Sequence, residues 1–131
     1  MGEFANYWEN EVLNHIFGKG NYTPPTIYLA LSTAAPADDG SGLAEPTGNA
    51  YSRVQTSASN WNQASGGSVI NSEDITFPQA SGSWGTITHF ALFDLASGGN
   101  LLAYGALSTP ININESDAVQ FKTGDIEVGL N

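Results

Sequence analysis

The chain has 131 residues, no cysteine, thirteen acids against three bases and a formal charge of −10. That length supports a single domain, residues 1–131, with a modest core, and the lack of cysteine excludes a disulfide framework, a thiolate metal site and a cysteine nucleophile. Lys19, Arg53 and Lys122 are too few and too scattered to neutralise a row of phosphates, so nucleic acid and anionic membrane are both excluded as partners.

No run approaches the roughly 18–20 apolar residues of a membrane span, and the start lacks the basic flank of a secretory signal. The chain is therefore expected to work in soluble form. Only 12% of its residues are charged, leaving a surface of Ser, Thr, Asn, Gly and small apolar groups that suits protein contact better than catalysis.

Residues 4–17, "FANYWENEVLNHIF", predict the one helix. Trp8, Val12 and Ile16 fall four apart beside Leu13 and Phe17, which makes one apolar stripe. Glu3, Glu9 and Glu11 lie toward the start, where the helix dipole favours them, and Gly18 supplies a left-handed stop. So short a helix must dock, either on its own sheet or on a neighbouring subunit.

After the stiff "NYTPP", "TIYLALST" at 26–33 alternates as a strand. Residues 34–49, "AAPADDGSGLAEPTGN", read as a long loop, of the kind that is functional or mobile. Short strands are then expected at 50–57, 68–71, 74–77, 85–95, 101–108, 118–123 and 125–130, with "ASGGN" at 96–100 as a tight hairpin loop. The fold class is mainly β: an antiparallel β-sandwich or jelly roll of about seven to eight strands over 26–131, with one N-terminal α-helix.

The stretch "WGTITHFALFD", 84–94, is apolar on both alternating faces: Trp84, Phe90 and Leu92 on one, Ile87, Ala91 and Phe93 on the other. A strand wet on one side would alternate with polar residues. Its second face needs a cover, and the helix and another protein chain are the two candidates.

Chemistry is sparse. His15 and His89 share no ligand spacing with other metal-binding residues, so no metal is expected. His89 reads as a hydrogen-bonded residue on a strand face or interface. No serine context resembles a nucleophile elbow. The pairs Asp38-Asp39 and Glu73-Asp74 sit where solvation keeps carboxylates ordinary, and "DDGSG" lacks the further spaced acids of a calcium loop. No catalytic, cofactor-binding or metal-binding residue is assigned. Trp61 and Trp84 lie in Gly/Ser/Asn-rich turns and read either as core residues or as contact anchors, with sugar stacking as a further use. The candidate interface residues are Tyr7, Trp8, Trp61, Trp84, His89 and Phe90.

The succession "NYWENEVLNHIFG", "YTPPTIYLALSTAAP", "YSRVQ", "NSEDITFPQASGSWGTITHFALFD" and "GGNLLAYGALSTP" resembles a family of small tailed-bacteriophage virion proteins, labelled tail-fibre, minor structural or capsid decoration proteins. The likeness runs from about Asn6 to Leu130, and its most specific pieces are "FP-x-A" at 77–80, "WGT-x-TH" at 84–89 and "GGNLL" at 98–102. It implies a structural virion component with no catalytic residues. Compactness, acidity and the lack of a repetitive shaft lead to the expectation of a capsid decoration (cement) protein on the shell exterior. Such a protein would bridge copies of the major capsid protein as a homotrimer. The alternative is a tail-fibre or tail-tip component recognising a host glycan; a small cell-wall hydrolase is the third reading.

Overall fold

A computed structural model of the protein describes residues 2–130. Nine strands and one α-helix follow in order: β1 (Gly2–Phe4), α1 (Asn6–Ile16), β2 (Tyr28–Ser32), β3 (Val54–Gln55), β4 (Ser68–Ile70), β5 (Ile75–Thr76), β6 (Gly85–Phe93), β7 (Leu101–Ile113), β8 (Gln120–Phe121) and β9 (Glu127–Gly129). Seven strands form a curled sheet in the order β3-β2-β6-β7-β1-β9-β4, and β5 pairs with β8 in a second, small sheet. The fold is thus mainly β with one helix, in a sandwich-like arrangement. It departs from an all-antiparallel sheet at one seam, where β1 runs parallel to β9.

The expected helix loses its first residues to that seam. Phe4 pairs with Ala103 of β7, and the Ala5 N–H donates to the Leu102 carbonyl at 2.8 Å. Helical geometry therefore begins at Asn6, whose N–H donates to the Asp38 carbonyl at 2.9 Å in the 34–49 loop. A helix start leaves such donors unmet within itself, and here the loop supplies the acceptor. At the other end Gly18 takes φ 72°, and the Lys19 N–H closes on the Asn14 carbonyl at 2.7 Å, as the sequence leads one to expect.

β6 and β7 form the central hairpin, joined by "DLASGGN". Gly98 and Gly99 lie at φ 66° and 80° in this turn. The Asp94 carboxylate closes the turn by accepting from the Asn100 backbone N–H at 2.8 Å and its side-chain amide at 3.0 Å. β7 runs on to Ile113, past the expected end at 108. Along β6 the pairing steps from Ile87↔Ile111 to His89↔Ala106, so β7 carries surplus residues, Pro110 among them, in a wide bulge. Proline is tolerated there because the bulge needs no ladder donor from it.

That bulge also shifts the alternation. Ile87, expected to share a face with Ala91 and Phe93, instead packs in the main core with Phe90, Leu92 and Trp84. Phe77, Ile75 and Phe121 from the small sheet and its flanks close this core. Room for the Phe90 ring is made by glycines on two neighbouring strands. A Cβ on Gly105 would fall 2.6 Å from the Gly2 Cα and 2.8 Å from the Phe90 ring, and one on Gly2 would fall 2.7 Å from that ring.

The second face of the hairpin holds a smaller cluster of Ala5, Ala30, Ala91, Phe93 and Leu101. Of the helix, one candidate cover, only the first residues Asn6 and Tyr7 reach the edge of this face. The 34–49 loop lies over it, with Leu43 packed on the cluster. Arg53 completes the seal: its guanidinium sits 3.7 Å from the centroid of the Phe93 ring, a cation–π contact. Arg53 is also paired twice with Glu45, Nη2 to Oε1 at 2.7 Å and Nε to Oε2 at 3.0 Å. Its Nη1 donates to the Leu95 and Gly98 carbonyls at 2.9 and 2.7 Å. One guanidinium therefore ties the loop, β3 and the hairpin turn together. The chain thus buries much of this face under its own loop.

Candidate functional site

Two tyrosines hold the covering loop in place. The Tyr51 hydroxyl donates to Glu45 Oε2 at 2.7 Å and accepts the Leu31 N–H at 3.0 Å, a β2 donor beyond the reach of short β3. Burial, then the bond to Glu45, pushes the Tyr51 phenol far above its ordinary range. On Glu45, burial alone would raise the carboxyl, but the hydrogen bonds from Arg53 and Tyr51 outweigh it and hold the group below the usual glutamate value. The Tyr104 hydroxyl lies between the Asp38 carboxylate and Glu3 Oε1, the latter at 2.8 Å. Those acceptors, Asp38 foremost, raise its phenol. Both clusters are structural clasps, with the polar atoms turned on one another.

The opposite side of the sheet is different. Between α1, β9, β4 and the 3-10 turn at Ala58–Asn60 lies an apolar groove of about 660 Å³. Trp8 and Val12 of α1, Trp61, Val69, Val128 and Leu130 line it, and no Asp, Glu, Lys or Arg does. α1 docks on the sheet only by its first turns. Trp8 packs on Phe4, the rings 4.7 Å apart and tilted by 42°, and donates its indole N–H to the Tyr22 hydroxyl at 2.9 Å. Beyond Val12 the stripe leaves the body: Leu13, Ile16 and Phe17 are 52%, 68% and 71% exposed, and Leu130 beside the groove is 64% exposed.

Against this surface the six residues singled out from sequence divide. Trp8 and Trp61 are half-buried groove walls, and Trp61 donates its N–H to Thr56 Oγ1 at 3.0 Å. Tyr7 is half-buried one residue away, edge-on to Tyr22 at 6.4 Å, and lines a separate cleft with Asp38 and Asn100. Burial, with Glu11 and Asp94 nearby, raises its phenol. His89 is half-buried on β6, its Nδ1 2.8 Å from Thr88 Oγ1. Trp84 and Phe90 are 4% and 3% exposed. For Trp84 the core alternative is the one realised, with its N–H donated to the Asn49 carbonyl at 2.9 Å and its ring edge-on to Tyr51 and Phe77.

Sequence reasoning missed the groove's aliphatic wall, Val69 and Val128, because short strands with one or two apolar residues carry little periodic signal. It also passed over Arg53, although a lone arginine beside an aromatic-rich strand was a signal to follow.

Among the described residues no group of three or more His, Asp or Glu is placed to hold a metal ion, and no helix is long and apolar enough to cross a membrane. No curated protein matches the chain. A protein-family comparison matches residues 3–129 to the family described as "Podophage GP4 fiber I protein gp80". The match spans both faces of the sheet, the covering loop and the groove, and on it the chain belongs to this family of small tailed-phage virion structural proteins.

Proposed function

We propose that the chain is a non-enzymatic subunit of a phage tail fibre and acts there as a compact homotrimeric module. The family match over residues 3–129 is the observation that carries this reading. The groove side of the sheet supports it, since an uncharged apolar surface on a molecule of charge −10 suits subunit contact. Of the two tryptophans weighed for sugar stacking, Trp61 is half-buried and Trp84 is buried. Glycan recognition by a tail tip would therefore run through Trp61.

Compactness and acidity favour a second reading, capsid decoration on the shell exterior with the major capsid protein as partner. Quantitative mass spectrometry of intact virions, with antibody labelling under the electron microscope, separates the two. Label at the tail, with copies matching the number of fibres, supports the fibre. Label over the shell, with copies matching its subunits, replaces the fibre with cement. Absence from the particle refutes both.

A further inference from the structure

We infer that the projecting end of α1 is the key to a second copy of this chain: Leu13, Ile16 and Phe17 of one molecule fill the apolar groove of the next, head to tail. The inference rests on the self-association within the proposed function and names the surfaces that perform it.

Three observations converge. The first is continuity of one stripe: Trp8 and Val12 line the chain's own groove, and Ile16, one helical turn further, stands 68% exposed. The same stripe thus ends as a cluster of large apolar side chains pointing away from its own body. Nor can it fold back, because Gly18 turns the chain and Tyr22 returns against Trp8 and Tyr7.

The second is the matching cavity, about 660 Å³ and without a charged lining residue. The third is charge. Two copies at −10 repel over most of their surfaces. Residues 12–20, "VLNHIFGKG", contain no acid and one of the chain's three cations, Lys19. Lys19 forms no ion pair among the described residues. The two regions that repel least are the two that are apolar. A helix end on one copy that enters the groove of the next makes a heterologous contact, which closes as a ring when the rotation permits.

The test uses the full chain and two exposed-site variants, by analytical ultracentrifugation. Wild type is expected to sediment as a closed oligomer. The variant I16D/F17D (key removed) and Ala64→Trp, which blocks the groove at a solvent-exposed lining residue, should each fall to the 13.7 kDa monomer. Circular dichroism and melting would establish that both are folded. Mixed in equal amounts, the two variants should recover one contact and form a heterodimer, and nothing larger.

A wild type that stays monomeric at tens of micromolar overturns the inference. So does an oligomer that survives I16D/F17D, or variants that do not complement. Because these readings are made on isolated protein, their failure leaves the virion location to be judged separately by labelling.

Discussion

Asn71 shows how one buried side chain can hold two segments together. It is fully buried, and its amide donates to the Glu73 and Lys122 carbonyls at 2.9 and 3.0 Å. Its Oδ1 accepts from the Gly124 and Ile126 N–H groups at 3.1 and 2.9 Å. Every hydrogen-bonding position on the amide is therefore used. Asn71→Ala would leave the Ile126 donor and two carbonyls short of partners in a dry site. We expect a loss of about 3 kcal/mol, read as a Tm lower by about 10 °C. Ala50 presents the reverse case. It sits at φ 66°, beside Asn49 at φ 53°, because the Asn49 carbonyl must reach Trp84 Nε1 and the Ser81 N–H. A left-handed alanine is strained by roughly 1 kcal/mol. Ala50→Gly is accordingly expected to raise stability by up to about 1 kcal/mol in urea unfolding, a direction opposite to that usual for glycine.

The 34–49 loop behaves as a structural element in its own right, since it is the second wall of the small cluster around Phe93. Its anchor is the ion pair of Arg53 and Glu45, whose side chains are 6% and 20% exposed. Removing one partner strands the other, so Arg53→Ala should cost about 3 kcal/mol. Arg53→Lys should recover little, because a single ammonium cannot span Glu45, Leu95 and Gly98 together. The pair also gives acid sensitivity with a defined sign. The folded Glu45 carboxyl lies below its ordinary value of 4.5. Its contribution is present in full above that value and is lost as pH falls through the depressed folded one. Wild type should therefore be more stable than Glu45→Gln at neutral pH, and the two melting curves should converge in acid. Parallel curves at all pH values would refute the role given to Glu45.

For the molecule as a whole, the sequence made the strand-rich class, the central hairpin and the helix legible, and the reasons are physical. "THFALF" and "LLAYGAL" are long apolar runs flanking a Ser-Gly-Gly-Asn turn, and "NYWENEVLNHI" has clean helical spacing. What stayed hidden depended on contacts distant in the chain. Phe4 belongs by pattern to the helix, but it pairs with Ala103 of β7, distant in the chain, which claims the segment for the sheet. Ile87 changes face because of surplus residues in the opposite strand, which no reading of β6 alone reveals. The covering loop looks like solvated linker, since its work is done by Leu43, by Glu45 and by the Asp38 carbonyl at the helix start. Of the candidate interface residues, Trp8 and Trp61 line the groove, while Trp84 and Phe90 are core.

One face of the sheet is closed by the chain's own 34–49 loop, and the other side carries the open apolar groove. Hydrogen–deuterium exchange, comparing dilute isolated protein with the assembled form, tests that division directly. Assembly is predicted to slow exchange in residues 12–20 and 58–69 and to leave 34–49 unchanged. Protection gained over 34–49 and the hairpin turn, with the helix end and groove unaltered, would contradict it.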